Sequence, residues 1–259
     1  VITRPDKRRG RQERPRPSPV KAAALQLGLP VSERVDDAVS VGAELGVVVA
    51  FGRIIKPDVL EALPMVNAHF SLLPRWRGAA PVERAILAGD NETGVCLMAI
   101  DEGLDSGPVY RCQPTAIGSE ETAGELRARL AVMAGDVLVD ALQAGLGTPD
   151  PQEGEATYAA KIEISDLQLV WDRPAAELHR IVRVGRAWTT WRGRRLLVWS
   201  VVPAAAPAGR QPGQLGGDVV ATGAGGLRLL VVQPEGRAPL AAADWLRGAR
   251  PGPDEGLGE

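Results

Sequence analysis

One short stretch, LGVVVA from Leu45 to Ala50, limits the fold more than any other part of the chain: it is continuous, apolar, rich in valine and followed by Gly52. A half-exposed strand alternates polar and apolar residues, whereas an unbroken β-branched run reads as a strand covered on both faces, as in a parallel sheet. Val20 to Leu27 and Lys56 to Leu63, on either side, have helical spacing. The order helix, strand, helix predicts an α/β layer architecture.

Next, MVNAHF alternates Asn67 and His69 with Val66, Ala68 and Phe70, so a strand here projects both polar side chains from one face. Pro74 stops it. A helix is predicted from Pro81 to Leu87, an apolar strand from Thr93 to Ile100, a turn-rich loop at DEGLDSGP and another strand from Val109 to Ile117. Thr122 and Glu125 have the spacing of a capping box ahead of a helix carrying Leu126, Leu130, Met133, Val137, Leu138 and Ala141.

These patterns set residues 1–144 as an α/β domain and 145–157, rich in Gly, Pro, Asp and Glu, as a linker. Residues 158–259 form a second domain. Within it Pro174 to Val184 reads as a helix opened by Asp172, and RLLVWSVV, DVVAT and LRLLVVQ read as short strands, most simply housed in a small β-barrel.

Composition narrows the function. The chain is 45% hydrophobic and 24% charged, as soluble domains are. A net charge of -2 argues against a nucleic-acid partner for the body, since phosphate neutralisation needs Lys and Arg in quantity. The first 21 residues differ: Arg4, Lys7, Arg8, Arg9, Arg11, Arg14, Arg16 and Lys21 face only Asp6 and Glu13, making a cationic arm that fits a polyanion or a solvated terminus. Cys96 and Cys112 are the only cysteines and read as buried packing thiols of a reducing compartment. With His69 and His179 the only histidines, no metal is expected. No run approaches the roughly 18 apolar residues of a membrane span, and the start lacks an apolar signal core, so a cytoplasmic protein without membrane partners is expected.

Ligands of open α/β sheets bind beyond the carboxyl ends of the strands. Asn67, His69 and Asp105 all sit at such ends. Taken singly, each also fits a local role: His69 as a satisfied core histidine, Asn67 as a turn former and Asp105 as a loop carboxylate.

The stretches AHFSLLPRWRGAAPVERAI and TGVCLMAIDEGLDSGPV together resemble the formyltransferase family that uses 10-formyltetrahydrofolate. WRGAAPV after SLLP is similar to the members that act on methionyl initiator tRNA. RPDKRRGRQERPRPSPVK, VVVAFG, ATYAAKI, WDRPAAELHRIVR, AWTTWRGRRL and VQPEGRAPLAAADWLRG extend the resemblance over nearly the whole chain. It implies a Rossmann-like N-terminal domain and a small OB-like barrel, a monomer, and 10-formyltetrahydrofolate as cosubstrate with no metal. Asn67, His69 and Asp105 match the family's catalytic positions, and Ser71, Leu72, Leu73 and Pro74 its folate-contacting loop. Lys7, Arg8, Arg9 and Arg11 match a loop that enters the acceptor stem of the tRNA; Arg192, Arg194 and Arg195 are either further phosphate contacts or a solvated basic strand edge, and His179 is assigned to packing.

The implied chemistry is coherent. Attack of a neutral amine on the formyl carbon puts negative charge on the former carbonyl oxygen, where the Asn67 amide and a protonated His69 are suitable donors. Asp105 would hold His69 in its charged form or relay the proton that the amine loses. Relatives begin with a strand, a Gly-containing loop and a helix before the segment matching VITRPDK, so the first strand of the sheet is expected to be missing. That leaves as alternatives a formyltransferase for a small amine and a truncated, inactive tRNA-binding remnant.

Overall fold

The computed structural model describes residues 1–8, 14–52, 55–252 and 255–258. In chain order the elements are α1 (Pro19–Gln26), α2 (Asp37–Ser40), β1 (Gly46–Val48), α3 (Pro57–Ala62), β2 (Met65–His69), β3 (Arg77–Gly78), α4 (Pro81–Ala88), β4 (Glu92–Ala99), β5 (Val109–Ala116), α5 (Ala123–Ala144) and β6 (Tyr158–Ala159). They continue as α6 (Ala175–Val184), β7 (Ala187–Trp191), β8 (Arg194–Ala204), β9 (Leu215–Gly216), β10 (Val219–Ala221), β11 (Gly226–Pro234), β12 (Leu240–Ala241) and α7 (Ala242–Ala249). Among the described residues no helix is long and apolar enough to cross a membrane. The chain falls into two compact units, one made of residues 1–69, 96–112 and 137–154, the other of 70–95, 113–136 and 155–259.

The first unit is built on the sheet ordered β1-β2-β4-β5. β1 runs parallel to β2, with Gly46 opposite Met65, and β2 runs antiparallel to β4, with Asn67 opposite Met98 and His69 opposite Cys96. Val59, Leu63 and Met65 form its buried cluster, with Val35, Ala38, Val48, Ile55, Leu60 and Ile100 packed against them. The helix α1 starts where Ser18 accepts from the Lys21 amide and Pro19 takes the first helical position, which needs no amide donor.

Two expectations for the first unit are corrected here. The strand at LGVVVA is not covered on both faces: β1 lies at the edge of the sheet, and Val47 and Val49 are 44% and 50% exposed. Apolar sequence reports a preference for burial but supplies no covering layer. Cys96 and Cys112 are not two packing thiols; they are joined as a disulfide, with the Cys112 residue exposed, because β4 and β5 are neighbours and bring their Cα atoms to 4.1 Å.

In the second unit β7-β8-β11-β10-β9 form an antiparallel sheet, with β12 on β11. Its core is the cluster around Trp171, Leu178, Ile181, Leu196, Val198, Leu227, Val232 and Trp245, and Leu87 from α4 packs against it. The Trp171 indole donates to the Thr189 hydroxyl at 3.0 Å, so its buried nitrogen is satisfied. The helix α6 is not opened by Asp172: Pro174 precedes it in an extended conformation without a side-chain cap, and its rigid φ suits a helix start. The capping box is present, the Thr122 hydroxyl accepting from the Glu125 amide at 3.3 Å and the Glu125 carboxylate accepting from the Thr122 amide at 2.9 Å.

The C-terminal segment is tied down electrostatically. Glu255 receives a two-pronged bond from Arg192 and one from the Gly252 amide, which together hold its carboxyl down at about 2. Because the folded value lies below the ordinary one, this contribution is complete above the unfolded carboxylate pKa and is lost as pH falls toward the folded value. Amide exchange in residues 255–258 is therefore expected to rise between about pH 4.5 and 2 in wild type and to show no such step in Glu255→Gln. Leu178→Ala, in the centre of the core, is expected to lower the unfolding free energy by about 2–5 kcal/mol in a denaturant titration.

Candidate active site

β2 places its polar residues by period-two alternation. Asn67 and His69 lie on one face, separated by the buried Ala68, and His69 is itself only 5% exposed at the strand's last position. The third residue arrives from the loop between β4 and β5. Asp105 sits there in the left-handed region at φ 49°, a conformation that Asp adopts more readily than most side chains. Its Oδ2 is 3.7 Å from His69 Nδ1, and its Oδ1 accepts from the Asn67 amide at 3.5 Å. One carboxylate thus faces both donors.

The loop that carries Asp105 is held from several sides. Asp101 Oδ1 accepts from the Gly103 amide at 3.0 Å and from the Ser106 hydroxyl at 2.9 Å. Gly107 passes so close to the backbone that a Cβ would lie 2.0 Å from the Ala99 carbonyl oxygen, so no larger residue fits. Gln152 donates to the carbonyls of Asp105 and Gly107 at 2.9 and 2.7 Å.

Ser71, Leu72, Leu73 and Pro74 lie in the second unit, immediately after β2 in sequence, and include a cis Leu73–Pro74 bond. The fully buried Ser71 hydroxyl donates to the Arg75 carbonyl at 2.6 Å. Asp90 anchors the two residues after Pro74: it accepts two bonds from Arg75 and one from the Trp76 indole at 2.7 Å, while the Arg75 guanidinium lies 4.5 Å from the Trp76 ring centre. Thr157 closes the other side, accepting from the Trp76 amide through its hydroxyl and from the Arg77 amide through its carbonyl, both at 2.9 Å. Asp90, Gln152 and Thr157 escape a reading of the sequence. ATYAAKI carries the only signal, at Thr157; nothing in the composition around Asp90 or Gln152 marks them.

Of the basic arm, Lys7 and Arg8 are exposed, and Lys7 pairs with Arg16 through two backbone hydrogen bonds that bring the ends of the segment together. Arg9 and Arg11 lie outside the described residues. Lys21 is ion-paired with Asp6 and Glu33, which raises its pKa through hydrogen bonding and draws it out of the cationic set. In the second unit Arg192 and Arg194 pair with Glu255 and Glu235, and Arg195 stacks over Trp188 at 4.4 Å. His179 is buried beside Glu120; burial pushes its pKa down and the carboxylate opposes that shift, as suits a structural residue. Among the described residues no group of three His, Cys, Asp or Glu is arranged to hold a metal.

The formyl transferase family model matches residues 1–142 and the formyl transferase C-terminal domain model residues 161–250. Similar curated proteins include the methionyl-tRNA formyltransferase of Heliobacterium modesticaldum, 41% identical over 98% of this chain and 90% of its own length. That of Dinoroseobacter shibae is 44% identical over 96% and 88%. Among solved structures, HypX from Aquifex aeolicus in complex with tetrahydrofolic acid superposes with a TM-score of 0.66 at 17% identity, over 90% of this chain and 45% of that one. The methionyl-tRNA formyltransferase from Clostridium thermocellum gives 0.55 at 21%, over 68% and 78%, and both likenesses speak to the fold.

Asp90→Ala is expected to lower the unfolding free energy by about 1–2 kcal/mol, discounted for the half-exposed Arg75, and to open the segment from Ser71 to Gly78 to limited proteolysis.

Proposed function

The chain belongs to the formyl transferase family, and we propose that it moves the formyl group of 10-formyltetrahydrofolate onto the amino group of methionyl initiator tRNA, with Asn67, His69 and Asp105 at the reacting centre. The observation that carries this reading is the meeting of those three side chains around one carboxylate, in a chain similar to methionyl-tRNA formyltransferases over nearly its full length.

The mechanism rests on what each group can donate or accept. The Asp105 carboxylate lies 3.7 Å from Nδ1 of the imidazole, close enough to favour that face of the ring and to offset a positive charge on it. That assigns Nε2 as the donor toward the formyl oxygen. The Asn67 amide, directed at Asp105, is the second donor for the negative charge that develops as the amine attacks. Asp105, half-buried and at the mouth of the loop, is placed to pass a proton from the attacking nitrogen toward the departing one. Ser71, Leu72, Leu73 and Pro74 are assigned to folate contact, the Pro74 carbonyl accepting from the Thr157 amide at 3.2 Å and Asp90 holding the two residues that follow, and the chemistry of this set needs only acid, base and hydrogen-bond donors.

Lys7, Arg8, Arg9 and Arg11 are assigned to the acceptor stem, with Arg192, Arg194 and Arg195 on the C-terminal domain as phosphate contacts. Residues 1–144 then form the catalytic domain, 145–157 the linker and 158–259 an OB-like domain. The protein works as a monomer in the cytoplasm.

A formylation assay with 10-formyltetrahydrofolate and methionyl initiator tRNA tests the reading. Wild type is expected to turn over, and His69→Ala to lose roughly 10² to 10³ in rate while keeping the wild-type melting curve. Equal rates in the two proteins would sink it. Uncharged tRNA is expected to compete with the substrate, and to compete less as salt rises, because phosphate contacts release counterions. A small-amine enzyme would show neither effect.

A further inference from the structure

Residues 145–157 look like a connector by composition, yet Asp150 and Gln152 are engaged in ordered structure. The amide and carbonyl of Asp150 exchange two hydrogen bonds with Val109 at 2.8 and 2.9 Å, extending the sheet past β5. That pairing delivers Gln152 to the turn carrying Asp105, where its amide nitrogen donates to two carbonyl oxygens of one loop, those of Asp105 and Gly107. Both acceptors are carbonyls, so the orientation of the side-chain amide is fixed: only the NH2 end can face them.

We propose that Gln152 is the positioning residue of the catalytic loop, its amide clamping the Asp105 and Gly107 carbonyls so that the Asp105 carboxylate stays aimed at His69 and Asn67. This rests on the functional reading above for the importance of Asp105, but the clamp itself is a matter of geometry. Asp105 holds a left-handed backbone conformation at φ 49° and carries its carboxylate 3.7 Å from the imidazole. Bonds at the Asp105 and Gly107 carbonyls fix the 105–106 and 107–108 peptide planes, and the first of these restricts rotation about the Asp105 Cα–C bond. Asp101 and Ser106 brace the outer part of the loop; Gln152 braces the part that reacts. The linker is thereby a component of the site.

The test compares full-length wild type, Gln152→Met, which keeps the length of the side chain without its donors, and Gln152→Glu, which sets a carboxylate against two carbonyls. Three quantities are read: hydrogen exchange at residues 102–107, steady-state formylation, and the thermal midpoint. The proposal expects faster exchange confined to that loop, and kcat lower by about tenfold to a hundredfold with KM for both substrates within about twofold, at an unchanged midpoint. In an Asp105→Asn background Gln152→Met is expected to have little further effect on kcat, since the clamp acts through Asp105. Unaltered loop exchange overturns it, as does a kcat equal to wild type, a loss of rate that accompanies a general fall in the midpoint, or an additive effect in the double variant. Failure of the functional reading is distinguishable, because it appears as absent turnover in the unsubstituted protein, whereas the exchange measurement decides the clamp without turnover.

Discussion

A histidine buried to one-twentieth of its free surface has to find hydrogen-bonding partners inside the protein, because an unsatisfied polar group in that setting costs on the order of 1–3 kcal/mol. At the end of β2 the carboxylate of Asp105 stands 3.7 Å from its Nδ1, and much of the local architecture serves to bring it there. The chain leaves β4 and doubles back within a few residues, and Gly107 is required where that path presses against the Ala99 carbonyl. Asp105 must enter the left-handed region, and the peptide that follows it needs external support, which Gln152 gives. The same carboxylate then serves Asn67, so a single anionic group organises the face that β2 presents.

How legible such an arrangement is in a sequence depends on the range of the interaction. MVNAHF announces its geometry because a strand's side-chain period is two and needs no knowledge of the rest of the molecule. DEGLDSGP announces a turn because Gly, Asp and Ser have local reasons to be there. Thr122 and Glu125 are three residues apart and their bonds are local, so the capping box is readable as written. Gln152 reaches a loop 47 residues away, and Asp90 gathers Arg75 and Trp76 from across a helix; neither leaves a trace in its own neighbourhood.

The corrections at β1 and at the cysteines share that cause. Whether Cys96 and Cys112 meet is decided by the register of β4 against β5, and the cysteines' own neighbours, apolar around Cys96 but Arg111 and Gln113 around Cys112, say nothing of it. Whether a valine-rich strand is covered is decided by what lies on it. The run at β1 reads as an inner strand because inner strands have that composition, but composition cannot distinguish a covered strand from one whose cover is lacking.

That exposed edge has a consequence for how the protein behaves in a tube. β1 pairs on one side only, and the described part of the unit that holds it also exposes Leu25, Leu27 and Leu29 at 58%, 73% and 45%. A strand with an open row of backbone donors and acceptors is a template for one more strand, and the template does not distinguish the same chain from another copy. Among the described residues that edge is where a further strand could add, and any pairing of this kind between two copies would grow with concentration.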